Sequence, residues 1–369
     1  MFLKTLNINS FKNLESITLE FSEKLNCFTG NNGSGKTNLL DAIYYLSFTK
    51  SYFNTNDSQI VNYNNNFFTV KGEYLRNNTL ETVYCAYEND KKKIVKRNDK
   101  TYKKFSEHIG LIPVVMVSPN DGILITGTGE ERRKYIDSVI SQYDREYLYE
   151  LIRYNKILSQ RNRLLKNYIT SAYFDADTIA IYNEQLSTSG NIIFEKRKKF
   201  ITNLIPVFSE YYEIISQKKE SVNLEYTSHL NNADFKKLLE DTIEKDKILG
   251  YTGKGIHRDD LSLKINEYQL KKAGSQGQQK TFLIALKFAQ FQFIQNISKI
   301  NPLLLLDDIF DKFDALRVSE IIKLTNNNFG QIFITDTNPE RVRKLIGNEK
   351  KNFKIFRTEN GHFTETIED

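Results

Sequence analysis

The chain has 369 residues, of which 40% are hydrophobic and 12% aromatic, enough to bury a large core or two. Its formal net charge of +6 is mild: an anionic partner is permitted but not identified. Cys27 and Cys85 are the only cysteines and the four histidines are scattered, which excludes a disulfide framework and a zinc site of the usual ligand count.

The first seven residues lack the long apolar core of a signal peptide, and no later run approaches membrane-spanning length, so a reducing cytoplasm is the expected setting. Residues 1–120 read as strand-rich. Leu3, Leu6 and Ile8, then Ile17, Leu19 and Phe21, alternate with polar residues as in half-buried strands. Leu25-Asn26-Cys27-Phe28-Thr29 reads as a short strand, followed by Gly30-Asn31-Asn32-Gly33-Ser34-Gly35-Lys36-Thr37, the G-x-x-x-x-G-K-T pattern of a phosphate-binding loop. Apolar residues at 39, 43 and 46 then have helical spacing, which completes the strand, loop and helix that the pattern requires. Residues 67–88 alternate again. A basic run follows, with Lys91, Lys92, Lys93, Lys96, Arg97, Lys100, Lys103 and Lys104 on an expected hairpin. Lysines there suit either a sheet edge guarded against aggregation or a contact to nucleic-acid phosphates. Residues 112–117 are an apolar run expected as a buried strand.

From about residue 130 the period changes. Ile136, Ile140, Tyr143, Tyr147, Leu151, Tyr154 and Leu158 alternate three- and four-residue steps, which predicts one long amphipathic helix. A second helical tract is expected over about 178–219, kinked or divided at Pro206, and a third over roughly 233–248. After residue 250 the α/β character returns. Strands are expected at 261–265, 303–308, 332–336 and 353–357, with a helix over about 278–297. The expected division is therefore 1–125 and 251–369 as two halves of one α/β domain, with 126–250 an inserted helical subdomain.

Three stretches carry chemistry. In the phosphate loop, backbone N–H groups face phosphate oxygens, Lys36 adds a mobile charge and the Thr37 hydroxyl can ligate Mg²⁺. The fully apolar strand ending in Asp307 and Asp308 reads as a central parallel strand with its carboxylates where such sheets bind ligands. Asp307 is expected to hold Mg²⁺ through water and Asp308 to act as general base on the attacking water. Gly274-Ser275-Gln276-Gly277-Gln278-Gln279 places a hydroxyl and a glycine at a helix N-terminus, a second phosphate-capable site. With one phosphate loop already in the chain, this second site makes sense if it serves the ATP of a partner subunit.

In this order, flanking a helical insert, these stretches resemble the ABC-type ATPases allied to SMC and Rad50 proteins, and among them most closely the RecF family. The resemblance spans essentially the whole chain. It rests on Ser10-Phe11-Lys12-Asn13-Leu14, residues 30–40, Ser118-Pro119-Asn120-Asp121, Arg132-Arg133-Lys134-Tyr135-Ile136-Asp137, Gln160-Arg161-Asn162-Arg163, His257-Arg258-Asp259-Asp260, residues 274–279 and Leu305-Leu306-Asp307-Asp308. The chain departs from the family pattern at Ile256, where proline is usual, and at Asp311-Lys312-Phe313-Asp314, where Ser-Glu-Leu-Asp is usual.

The resemblance implies an ABC-type ATPase head of mixed sheet and helices, binding ATP at residues 30–37 and Lys12. It implies Ser275, Gly277 and Gln278 acting in trans in an ATP-dependent homodimer, with Asp314 in the dimer loop. It further implies binding to DNA at gaps and single-strand/duplex junctions, slow ATP hydrolysis, work with RecR and RecO, RecA loading and SOS induction. Lys91, Lys92, Lys93, Lys103 and Lys104 are the candidate DNA contacts; Arg132, Arg133, Arg161 and Arg258 read better as members of buried paired networks. The competing class is a P-loop small-molecule transferase using the helical insert as a lid.

Overall fold

The computed structural model describes residues 1–171, 173–217, 220–310, 315–346 and 352–366. The chain opens with β1 (Phe2–Phe11), β2 (Leu14–Glu20), β3 (Leu25–Thr29) and helix α1 (Lys36–Phe48), followed by β4 (Phe67–Arg76), β5 (Thr79–Glu88), β6 (Ile94–Arg97), β7 (Lys100–Thr101) and β8 (Val114–Val117). Next come α2 (Ile123–Thr126), α3 (Gly129–Ile140), α4 (Arg145–Ser171), α5 (Ala176–Ser216), β9 (Val222–Thr227), α6 (Phe235–Asp241), α7 (Ile243–Leu249), β10 (Asp260–Ile265), β11 (Tyr268–Gln269) and α8 (Leu270–Ala273). The last elements are α9 (Gln276–Ser298), β12 (Leu303–Asp307), α10 (Ala315–Asn328), β13 (Ile332–Asp336), α11 (Pro339–Ile346), β14 (Phe353–Glu359) and β15 (His362–Thr366).

These elements form two compact units, one of residues 1–121 with 286–369 and one of residues 122–285. The first unit is organised by α1. Leu39, Leu40, Ala42, Ile43, Tyr45 and Leu46 are all fully buried, so this helix is apolar nearly all round and must be covered on opposite sides. One cover is the antiparallel sheet ordered β2-β1-β4-β5-β6-β7. The other is the sheet ordered β15-β14-β3-β13-β12-β8, in which every pairing except β14 with β15 is parallel. Residues of both sheets join α1 in one core, with Leu6, Ile8 and Val70 from one and Phe28, Leu303 and Phe333 from the other. Gln331, 1% exposed, ties the sheets together: its Oε1 accepts from Leu3 N–H and its Nε2 donates to the carbonyls of Leu3 and Ser22. Leu303 to Leu306 are fully buried, paired on both edges as an apolar run demands. The basic segment forms the edge of the antiparallel sheet as the β6–β7 hairpin.

The second unit is mostly helical. The seam expected to run through one helix is divided between α3 and α4, because Asp144 caps a new helix by accepting from the N–H of Tyr147. In contrast, Pro206 does not divide α5. It sits on the exposed side together with Thr202, so the carbonyl that loses its donor meets water. The third tract is two short helices, α6 and α7. The unit also reaches to Ala285 rather than to residue 250, because β9, an unexpected strand, pairs along the full length of β10 in a sheet ordered β11-β10-β9.

Buried arginines hold this unit. Arg161 is wholly buried and donates to Asn183 Oδ1 (2.8 Å), Asp246 Oδ2 (2.8 Å) and Thr252 Oγ1 (2.7 Å). Arg197, which nothing in the sequence pattern singled out, donates to Asp137, to Asp259 and to the Ile256 carbonyl. Arg132 makes a two-pronged pair with Asp260 at 2.6 and 2.9 Å, and Arg133 donates to the Asp259 carbonyl. Arg258 departs from the expectation for this group: it is exposed and lies over the Tyr251 ring.

Removing one partner of a buried pair strands the other charge, so Asp246→Ala is expected to destabilise the second unit by about 3–5 kcal/mol in urea titration. Glu184→Ala, which removes an exposed pair to Lys236, should leave the midpoint unchanged. Equal midpoint shifts for the two variants would show that the Arg161 network is not what holds the unit.

Candidate nucleotide-binding site

The phosphate loop leaves β3 and enters α1, between the two strands that flank β3, β14 and β13. Its backbone is fixed from two sides. Gly30 has φ 154° and packs so tightly that a Cβ there would come within 2.2 Å of the Thr358 carbonyl oxygen of β14. At the β14–β15 turn, Gly361 N–H donates to the Ser34 carbonyl at 2.8 Å. The β1–β2 turn reaches over the loop as well, with Asn13 Nδ2 donating to the Gly33 carbonyl at 3.3 Å and Asn38 Nδ2 donating to Asn13 Oδ1 at 2.7 Å. Asn31 and Asn32 are exposed at the loop's rim, and α1 begins at Lys36 directly after Gly35.

Lys36 is buried, and its ammonium donates to the carbonyls of Gly30 (2.7 Å) and Asn31 (2.8 Å). Burial pulls its pKa down, while Asp308, Asp307 and Asp336 oppose that shift. Ser34 Oγ is buried with no hydrogen-bond partner among the described residues. A desolvated cation and an unsatisfied hydroxyl on a loop at a helix N-terminus fit a phosphate group, which would satisfy both.

Opposite the loop stands the end of β12. Asp307, 4% exposed, accepts from Thr37 Oγ1 through both carboxylate oxygens, at 2.9 and 3.1 Å. Thr335 on β13 completes a knot: its hydroxyl donates to Asp307 Oδ1 at 2.8 Å and accepts from Asp308 N–H at 3.0 Å. Burial raises the pKa of Asp307, with the hydroxyls of Thr335 and Thr37 opposing it. Asp308 is half-buried at φ 45°, a left-handed conformation in which aspartate is better tolerated than most residues and which turns the chain sharply after β12. Asp336, at the end of β13, lies against Arg341 at 3.3 Å; burial raises its pKa and its Oδ2 has no partner among the described residues.

The Thr37 and Asp307 oxygens converge as ligands of a small hard cation would. No cluster of three or more His, Cys, Asp or Glu suited to a metal occurs among the described residues.

Other expected site residues sit differently. The Lys12 ammonium is 2.6 Å from Asp41, a fully buried carboxylate that also accepts from Ser51 Oγ and Tyr52 N–H, so its charge is committed to the core. Lys93 is likewise committed, donating to Asp57 at 2.7 Å and to the Thr49 carbonyl at 2.6 Å. Lys91 pairs with Glu88, while Lys92, Lys103 and Lys104 are exposed. Asp314 and Asp311 lie outside the described residues.

In the second unit, Ser275 and Gln278 form a reciprocal cap at the start of α9: Gln278 Oε1 accepts from Ser275 N–H at 2.7 Å and Ser275 Oγ accepts from Gln278 N–H at 3.3 Å. Gln278 also donates to Glu220 at 2.9 Å. Ser275 and Gln276 are exposed and Gly277 is half-buried, so the start of this helix presents N–H groups to solvent. Thr335, Asp336 and the Gly361 turn carry no sequence signal for a place at this site, because each acts through a strand or turn distant in the chain, and Asn13 is marked only by the 10–14 stretch of the resemblance.

The chain matches the family model for the RecF/RecN/SMC N-terminal domain over residues 2–364. It is 48% identical to the DNA replication and repair protein RecF of Bacteroides thetaiotaomicron over 367 residues, 99% of each chain. It is 49% identical to the protein of the same name from Bacteroides fragilis over 370 residues, which cover 100% of this chain and 99% of that one. Among solved structures, the recombination mediator protein RecF-ATP in the RecFOR pathway superposes with a TM-score of 0.89 at 29% identity, covering 99% of this chain and 98% of that chain. An SMC head bound to the C-winged helix domain of ScpA shares the fold, with a TM-score of 0.58 at 15% identity over 99% of this chain and 97% of that one. With the head fold common to SMC proteins, this chain belongs to the RecF family of DNA replication and repair proteins.

Proposed function

We propose that this protein is an ATP-gated DNA-binding protein of recombinational repair and replication restart. The observation that carries the reading is the knot of Thr37, Asp307 and Thr335 against a phosphate loop with a desolvated Lys36 and an unpartnered Ser34 hydroxyl. The RecF names of its relatives and the RecF-ATP structure support it from outside the chain. Membership of that family leaves the small-molecule transferase without support.

In this reading residues 30–37 wrap the phosphates of ATP, and Lys36 exchanges its two carbonyl acceptors for phosphate oxygens. Thr37 and Asp307 would hold Mg²⁺, whose chemistry is to neutralise phosphate charge. Asp308 positions the attacking water and takes its proton. Its side chain is one methylene shorter than glutamate and hangs from a sharp turn, which favours slow hydrolysis. Ser275, Gly277 and Gln278 read the nucleotide of a second molecule, so ATP joins two copies, and Asp314 belongs to that joint. The dimer binds DNA at gaps and single-strand/duplex junctions in the cytoplasm, works with RecR and RecO, and assists RecA loading and SOS induction. No described helix is long and apolar enough to cross a membrane.

Lys36→Ala should weaken ATP binding about ten- to a hundredfold in calorimetric titration, the worth of a charged hydrogen bond; wild-type affinity would sink the loop assignment. Asp308→Asn should cut turnover by roughly a hundredfold or more while the ATP-bound dimer persists in light scattering. Turnover equal to wild type would mean another group is the base. Ser275→Arg should bind ATP normally yet stay monomeric with ATP, and an unimpaired dimer would refute action in trans.

A further inference from the structure

Residues 251–258 of the second unit form a short loop held by more buried polar structure than a surface connection needs. At its start, Thr252 N–H and Oγ1 both donate to Asn162 Oδ1, and Gly253 N–H donates to Asp246, the partner of buried Arg161. In its middle, His257 is clamped between the Tyr154 hydroxyl (2.8 Å) and the Thr252 carbonyl (2.9 Å). At its end, Asp259 accepts from the Tyr226 hydroxyl and from Arg197. Gly255 has φ 129°, and a Cβ there would lie 2.7 Å from Phe235 and 2.8 Å from the Tyr154 hydroxyl, so only glycine fits this bend of the loop.

This anchoring presents cations. Lys254 lies with its ammonium 3.2 Å from His229 Nε2, and Arg258 is exposed with its guanidinium 5.2 Å from the centre of the Tyr251 ring. An ammonium only donates, so His229 Nε2 is the acceptor and that ring is neutral in this arrangement. Burial, together with the Lys254 charge, keeps the His229 pKa below its ordinary value, and burial takes His257 down to about 4. The adjacent carboxylates are spent: Asp259 on Arg197 and Asp260 on Arg132. Among the described residues neither Lys254 nor Arg258 has an ion-pair partner. In the basic hairpin, Lys91, Lys93 and Arg97 are paired with Glu88, Asp57 and Glu81, while Lys92, Lys103 and Lys104 are exposed.

We propose that the 251–258 loop is a preorganised phosphate-binding element for the nucleic-acid backbone, with Lys254 and Arg258 as its contacts and Tyr251 as the plane that holds Arg258. A rigid backbone removes the ordering cost that two mobile surface cations would otherwise incur on binding. A guanidinium held over a ring face by a cation–π contact keeps its N–H fork free for phosphate oxygens. The inference rests on the DNA-binding reading above and deepens it by naming contacts.

The test is fluorescence anisotropy of full-length protein with ATP and a labelled gapped duplex, over about 50–300 mM salt, where each phosphate contact contributes near 0.9 to the slope of log affinity against log salt. Lys254→Gln with Arg258→Gln should lower the magnitude of that slope by about 1–2 and weaken binding alike for different sequences. The charge-preserving pair Lys254→Arg with Arg258→Lys should keep the slope, which a purely structural role for the loop would not require. Absence of DNA binding by the wild type would remove the functional reading itself. If the wild type binds and the glutamine pair has its slope, the loop is not a contact and the functional reading stands. Loss of slope only in Lys103→Gln with Lys104→Gln would place the contacts on the hairpin instead. An unchanged slope with loss of the ATP-dependent dimer would overturn the proposal by assigning the loop to another protein molecule's nucleotide.

Discussion

Burial of α1 is the constraint on which the first unit depends. A helix apolar on almost every side has no solvent face, so it must be roofed and floored, and the chain supplies one sheet for each side. Once the helix is trapped, its N-terminus is a fixed point with unsatisfied N–H groups. The phosphate loop inherits that fixity at one end and the β3 strand's at the other. The carboxylate of Asp307 then arrives from a strand whose Leu303–Leu306 run could not exist anywhere but the middle of a sheet. Positioning of the site is thus a by-product of covering hydrocarbon.

Burial also sets the electrostatics. Lys36 loses hydration and would shed its proton more readily than a surface lysine, but three carboxylates at the ends of β12 and β13 oppose that. Those carboxylates are pushed the other way, towards the neutral form, for Asp307 and Asp336. The opposed shifts share one cause, loss of hydration at groups of opposite charge. An anion would relieve Lys36, and a cation would relieve Asp307. The second unit spends its buried charges differently, locking Arg161 to Asp246 and Arg197 to Asp137 and Asp259.

The phosphate loop, the acidic strand and the serine-glutamine cap were readable because each is written in contiguous residues with a local physical reason. Thr335, by contrast, is an ordinary strand threonine until β13 pairs in register beside β12 and sets its hydroxyl between Asp307 and the Asp308 N–H. Arg197 looks like one more cation on a helix rich in them, and its burial follows only from the folding of α3, α5 and the 256–259 turn around it. The helix break before Arg145 was hidden by apolar spacing that runs on in phase through Tyr143 and Tyr147. There a capping aspartate outweighed the periodicity. Pro206 does not divide α5, since its position on the wet side of the helix makes an interior proline tolerable.

The hairpin of β14 and β15 sets a temporal condition on the loop at the other end of the chain. Gly30 rests on the Thr358 carbonyl, Ser34 receives the Gly361 N–H, and β3 is flanked by β13 and β14. Every one of those supports is translated at least 295 residues after the loop. While the ribosome is still making the chain, the loop has the Asn13 turn but neither of the strands that flank β3. Pairings so distant in sequence are among the last to form. Competence to hold a nucleotide therefore coincides with completion of the sheet, so an unfinished chain has no pocket in which to trap one.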